Sequence, residues 1–202
     1  MEEDRIKWDA RYGGKEYLFS LAPSRFLAQN LELVCALAPG RRALDIACGE
    51  GRNGIFLAQN GFQVSAVDIS ERGLARGRKR AAELGVRVDF VRADLEIDRL
   101  REEYDLIIDF NFLHRPLIAA MADALAPGGV ILMETILDAP SLQGEHTRRF
   151  LLRQGELGRL FSRLAGRILL LEEDMSQEIP LARVVFVKQV EVKVKVKTNP
   201  QP

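Results

Sequence analysis

The sequence predicts a single doubly wound α/β domain, and three observations predict it. Short apolar runs alternate with helical stretches from residue 42 to residue 134. Those runs are apolar on both faces, as strands buried beneath helices on either side must be. After residue 166 the pattern changes to apolar and polar residues in alternation, which suits antiparallel strands at the end of the sheet. With 202 residues, 47% of them hydrophobic and 29% charged, the chain has the size and composition to bury one core.

The elements follow in order. From Pro23 to Leu37 the apolar residues Phe26, Leu27, Leu31, Val34, Cys35 and Leu37 recur at helical spacing, and Ala38-Pro39-Gly40 closes the run. Arg42 to Ala47 is the first strand; a glycine-rich turn and a helix to Asn60-Gly61 follow it. Gln63 to Val67 is the second strand, ending at Asp68, with Ser70 capping a helix from Glu71 to Leu84. Val86 to Val91 and Tyr104 to Asp109 are strands three and four. Pro116 suits the first turn of a helix that ends at Ala126-Pro127-Gly128-Gly129, and Val130 to Glu134 is strand five. A helix to about Leu164, a sixth strand from Arg167 to Glu173 and a seventh from Ala182 to Lys197 complete the chain, the last two pairing antiparallel. Residues 1–40 form a helical lid or cap, 41–197 the main domain, and 198–202 a disordered tail.

Composition excludes several functions. Lys plus Arg and Asp plus Glu are equal at 29 each, so no global positive field draws the protein to nucleic acid or to anionic lipid. No run is long enough to span a bilayer, and Met1 to Trp8 is charged and unlike a secretion signal, so a cytoplasmic location is expected. Cys35 and Cys48 have no metal-ligand spacing and read as reduced thiols; no metal is expected. A small-molecule substrate is the remaining expectation.

The candidate site begins at Asp45-Ile46-Ala47-Cys48-Gly49-Glu50-Gly51-Arg52-Asn53-Gly54, which contains the G-x-G-x-x-G spacing of nucleotide-binding turns. The spacing alone suits several nucleoside cofactors, and a tight turn with a capping aspartate is the plainer alternative. Asp45 discriminates among the cofactors: a carboxylate four residues before the first glycine would repel a pyrophosphate at short range but attract a cation. Asp68, at the end of strand two, is placed to accept both hydroxyls of a ribose. Asp94, between Ala93 and Leu95 at the end of strand three, can accept from an adenine amino group while its neighbours flank the ring.

Asp45-x-x-Cys48-Gly49-x-Gly51, then Asp68, Ala93-Asp94-Leu95 and Leu125-x-Pro127-Gly128-Gly129 together resemble the class I S-adenosylmethionine-dependent methyltransferases. The resemblance implies their Rossmann-like, mostly parallel seven-stranded sheet with an antiparallel C-terminal strand, and S-adenosylmethionine, a cationic nucleoside without phosphate, as cofactor. Trp8-Asp9-Ala10-Arg11-Tyr12 and Gly49-Glu50-Gly51-Arg52-Asn53 are similar to the tellurite-resistance-type subgroup, which implies a small thiol or metalloid anion as acceptor. The implied cofactor-binding residues are Trp8, Tyr12, Asp45, Ala47, Cys48, Gly49, Gly51, Asn53, Asp68, Ile69, Ala93, Asp94, Leu95 and Asn111. Among them Trp8 and Tyr12, with Phe19, would belong to a lid over the cofactor, and Asn111 would face the reacting region. Arg52 and Asn53 would bind the methionine carboxylate or tie down the lid.

No acid/base constellation is evident, and the catalytic residues stay unknown. His114 and His146, just beyond strands four and five, are the candidates for a base should the acceptor need one. The valine and lysine alternation from Val190 to Val196 outruns the sixth strand and predicts a homodimer paired through the end of strand seven, with a lysine-protected edge as the alternative. An NAD(P)-dependent oxidoreductase and a non-catalytic S-adenosylmethionine-binding protein remain as rival readings.

Overall fold

The computed structural model describes residues 2–100, 102–142 and 148–190. Their helices are α1 (Glu2–Arg11), α2 (Arg25–Gln29), α3 (Leu31–Leu37), α4 (Arg52–Gln59), α5 (Glu71–Glu83), α6 (Arg115–Asp123) and α7 (Glu156–Phe161). Their strands are β1 (Arg42–Ile46), β2 (Gln63–Asp68), β3 (Val88–Arg92), β4 (Tyr104–Phe110), β5 (Leu125–Ile136), β6 (Gly166–Asp174) and β7 (Leu181–Lys188). The strands form one sheet in the order β3-β2-β1-β4-β5-β7-β6. The first five are mutually parallel, and β7 runs antiparallel between β5 and β6. This is the expected mostly parallel seven-stranded α/β sheet.

Every residue of β4 is buried, Asp105 and Asp109 included, which explains why the strand is otherwise apolar. The sheet has a core on each face. Ile46, Ile107, Met133 and Phe186 meet α6 and α7 through Leu117, Met121, Leu157 and Phe161 on one side. Ala43, Ile108, Leu132 and Val185 meet α2 to α5 through Phe26, Val34, Ile55 and Leu74 on the other. The strand order reverses at β1 and β4, so their connections leave in opposite directions and open a crevice beyond their C-terminal ends.

Several boundaries differ from expectation. The helix expected over Pro23 to Leu37 divides at Asn30, whose N–H bonds to Phe26 and Leu27 carbonyls and whose amide side chain takes the Phe26 carbonyl at 2.8 Å, closing the first helix. α6 stops at Asp123 rather than at Ala126, because the Tyr104 N–H takes the Ala124 carbonyl at 2.9 Å and draws the chain beside β4 early. The helix expected to run to about Leu164 shrinks to α7, begun by Gly155 at φ +70° and held by Glu156, which pairs with Arg115 at 2.6 Å and accepts from the Arg153 N–H. β7 ends at Lys188, short of the expected Lys197, since Gln189 and Val190 are described and belong to no strand. His146, the continuation proposed to pair two chains beyond residue 190, and the 198–202 tail lie outside the described residues.

Candidate functional site

The turn after β1 is made by left-handed residues: Ala47 at φ 49°, Gly49 at φ 57° and Gly51 at φ 76°. A side chain at Gly49 would meet more than torsional strain, since a Cβ there would lie 2.5 Å from the Tyr12 hydroxyl. Gly51 opens α4, and its α-carbon faces the Phe90 ring, with room for no Cβ. Three main-chain positions in five thereby bend the strand end into a cradle.

Two carboxylates fix this cradle. Asp45 is 1% exposed, and its Oδ2 accepts the Gly54 N–H at 2.8 Å. Burial pushes its pKa up to about 7 against the pull of that hydrogen bond; the charge of Asp68 adds to the rise and Arg52 opposes it. Asp68 accepts the Gly49 N–H through Oδ2 and the Ser70 N–H through Oδ1, each at 2.8 Å, so it braces the glycine turn and the start of α5 together. Burial raises its pKa, and these same N–H groups pull it down. Asp94 is half-buried; its Oδ1 accepts from the Glu96 N–H at 3.1 Å.

These groups line one cavity of about 610 Å³. Every residue expected at the cofactor lines it except Gly51, which is packed behind the turn against Phe90 and serves the backbone, not the cavity wall. Asn53 lines it while its Oδ1 accepts the Ser24 N–H at 2.8 Å, so the structure shows it tying down the segment ahead of α2. His114 lies outside this lining. It occupies the cap position of α6 and faces a shallower cavity bordered by Glu96, Asp98 and Glu103.

α1 covers the carboxylate end. Asp9 accepts from the Ser70 hydroxyl at 2.6 Å, Arg76 donates to the Tyr12 and Gly14 carbonyls, and the Trp8 and Tyr12 rings stack with centroids 5.7 Å apart. Tyr12 is buried, its phenol pushed up by that burial and by the nearby Asp68. The motif reading missed the side chains that hold the chain between α1 and α2. Glu50 accepts the Leu18 N–H at 2.9 Å and lies 2.8 Å from the Arg76 guanidinium, at an angle too poor for a hydrogen bond. Arg80 donates to the Leu21 carbonyl at 2.9 Å. Glu134, at the end of β5, accepts from the Ser24 hydroxyl at 3.1 Å and from Arg183 at 2.6 Å, and it too lines the cavity. No local spacing announces Glu134, because its partners come from residues 24 and 183. Asp109, one position before Phe110, is buried with Oδ1 lacking a hydrogen-bond partner among the described residues, and burial holds its carboxyl well above the usual range.

Comparison with known proteins agrees with this architecture. A family profile described as a methyltransferase domain matches residues 43–129. The ubiquinone biosynthesis O-methyltransferase of Shewanella halifaxensis is 34% identical over 136 residues, covering 64% of this chain and 56% of that protein. The corresponding protein of Xanthomonas euvesicatoria is 32% identical over 144 residues, covering 66% and 57%. The chain thus spans little more than half the length of these relatives. Among solved structures, TehB from Haemophilus influenzae superposes with a TM-score of 0.70 at 18% identity, covering 92% of this chain and 67% of that one. Magnesium protoporphyrin IX methyltransferase from Synechocystis PCC 6803, with bound S-adenosylhomocysteine, gives 0.65 at 17% identity, covering 91% and 94%. At such identities the structural likeness establishes the fold, and it is the fold that the class I resemblance implied.

Proposed function

We infer that this chain, a class I S-adenosylmethionine-dependent methyltransferase by its domain and fold, binds S-adenosylmethionine in the crevice and transfers the methyl group to a small-molecule acceptor. The observation that carries the reading is Asp45. Its buried carboxylate occupies the Gly54 N–H near the start of α4, a donor that a pyrophosphate would use, and it projects negative charge where a dinucleotide would place its own. The same group suits the ammonium and sulfonium of S-adenosylmethionine, whose already activated methyl group is the chemistry the cofactor supplies when bound. The NAD(P) reading is thereby disfavoured.

The chain's own residues then have assignable tasks. Asp68 retains acceptor capacity for ribose hydroxyls beyond its two backbone bonds. Ala93 and Leu95 would flank the adenine, with Asp94 to accept from its amino group, and Ala47, Cys48, Gly49 and Ile69, which line the same cavity, would supply close main-chain contact. Trp8 and Tyr12 exclude water from above. Asn111, at φ 62° after β4, faces the reacting region with Glu134. Methyl transfer gains from such alignment and desolvation.

The thiol or metalloid acceptor implied by the subgroup resemblance draws no support from the sequence relatives, which are named as O-methyltransferases. Calorimetry with S-adenosylmethionine, S-adenosylhomocysteine and NADH tests the cofactor. Micromolar binding of the first two without the third is expected; NADH binding alone would overturn the reading. Transfer of a labelled methyl group to any member of an acceptor panel separates an enzyme from a non-catalytic binding protein.

A further inference from the structure

Past the carboxylates, the crevice changes character. The sheet face runs from Phe110 on β4, at the edge of the core, to Ile136 on β5 and Leu181 on β7, the last two directly opposite each other in the antiparallel register. Facing the same cavity are Phe19 and Leu21, between α1 and α2, and Ile179, between β6 and β7. These three are 45%, 44% and 43% exposed. Singly exposed apolar side chains are ordinary, but three that border one cavity mouth, continuous with an apolar floor, make a binding surface.

The chain that presents two of them is firmly held. The Leu18 N–H goes to buried Glu50, the Leu21 carbonyl to Arg80, and the Ser24 N–H and hydroxyl to buried Asn53 and Glu134. Main chain is fixed on both sides of Phe19 and Leu21 while their side chains are offered to the mouth. Among the charges there, Glu134 is matched by Arg183, while Arg52, over the Phe19 ring at 6.0 Å, and Arg80, on the Leu21 carbonyl, also line the cavity.

We propose that the methyl acceptor has an apolar body, an aromatic ring or aliphatic chain, which seats between Phe19, Leu21 and Ile179 on one side and Phe110, Ile136 and Leu181 on the other. Its nucleophile then faces the carboxylate-lined end. The cavity of about 610 Å³ comprises both ends and lies within the range of small-molecule sites, roughly 300–1,000 Å³, so the acceptor takes the part of it that the cofactor leaves. This assignment rests on the cofactor reading above, and it selects acceptors by apolar burial rather than by charge.

The test titrates para-alkylphenols, methyl through hexyl, into the chain saturated with S-adenosylhomocysteine, with glutathione and tellurite as comparators. Affinity is expected to rise about threefold to fourfold per methylene until the chamber fills. Leu21→Ser and Ile179→Ser should each flatten that rise while leaving the S-adenosylhomocysteine Kd within about twofold. A flat series in the wild type, an unchanged rise in both variants, or tighter binding of glutathione or tellurite than of hexylphenol would overturn the proposal. Failure of S-adenosylhomocysteine to bind would instead overturn the cofactor reading, and the same series on the unloaded chain would then still show whether the chamber takes apolar bodies.

Discussion

The two ends of the crevice are built by different means. The carboxylate end is backbone made rigid: a left-handed turn, strand-end aspartates whose oxygens take N–H groups of nearby residues, and glycines where a Cβ has no room. The apolar end is a set of side chains gathered from around residues 20, 110, 135 and 180, joined by hydrogen bonds that span 29 to 110 positions of sequence. A nucleoside shared by many enzymes demands fixed main-chain geometry. An acceptor that varies between enzymes is met by side chains that can be exchanged without disturbing the sheet.

Glu134 offers the largest test of that division, because it belongs to the second construction. Glu134→Ala strands Arg183, leaving it the weaker contact with Glu172 at 3.5 Å, and removes the acceptor of the Ser24 hydroxyl. A loss of about 2–4 kcal/mol in unfolding free energy is expected from a half-buried guanidinium deprived of its main partner. Denaturant titration checks the loss, and calorimetry should show S-adenosylhomocysteine affinity little changed. A collapse of cofactor affinity in the folded variant would show that the two ends are one unit. Asp45→Ala and Asp68→Ala probe the first construction. Each should weaken cofactor binding by about 1–3 kcal/mol, roughly 5- to 150-fold, through lost charged hydrogen bonds. Unchanged affinity in both folded variants would contradict the site.

The pH response should also belong to the carboxylate end. With its pKa pushed to about 7 by burial, Asp45 binds a proton more tightly in the folded chain than in the unfolded one, where a carboxyl titrates at about 3.9. Without ligand, its contribution to stability therefore falls as pH rises from about 4 to about 7. A bound cation favours the carboxylate and releases that proton, so S-adenosylmethionine affinity should increase with pH and level off above 7. The gain from pH 6 to pH 8 is about tenfold at most, one proton over one pKa interval. Calorimetry in buffers of different ionisation enthalpy measures the released proton. Flat affinity across that range would remove Asp45 from contact with the cofactor's charge.

The same division decides what the sequence disclosed. The alternation of strands and helices, the glycine spacing and the aspartates at 45, 68 and 94 are local patterns, and local geometry is what they encode. Gly51 fits the same spacing but packs against Phe90, because spacing reports a turn and not which of its residues faces a ligand. Glu50, Glu134 and Arg183 escaped notice since a lone charged residue gives no signal until the fold brings its partner close. His114 drew attention by lying past a strand end, yet it sits at the cap of α6 and is not among the residues that line the crevice. The break at Asn30 was hidden for a related reason: the helical period continues across it, and a side-chain bond to the preceding turn decides the matter.

Arg149 ties the lid to the cavity wall, and its removal should have the smallest effect. It donates to Asp4 of α1 at 2.9 Å, lies 3.5 Å from Glu96 beyond β3, and rests on Phe150, a residue of the cavity wall, at 4.4 Å. The link runs from the lid to Phe150 in the cavity wall. Arg149 is 43% exposed, so water and salt screen both pairs, and together they contribute about 1 kcal/mol or less. Arg149→Gln should therefore leave the equilibrium affinity for S-adenosylhomocysteine within about fivefold. If the pairs act by holding α1 closed, the loss falls on the dissociation rate, which should rise severalfold at low salt and converge with wild type near 1 M, where screening reaches about 3 Å. Stopped-flow displacement across that salt range measures it. A rate that rises equally at every salt concentration would assign the effect to lost packing on Phe150 rather than to the ion pairs.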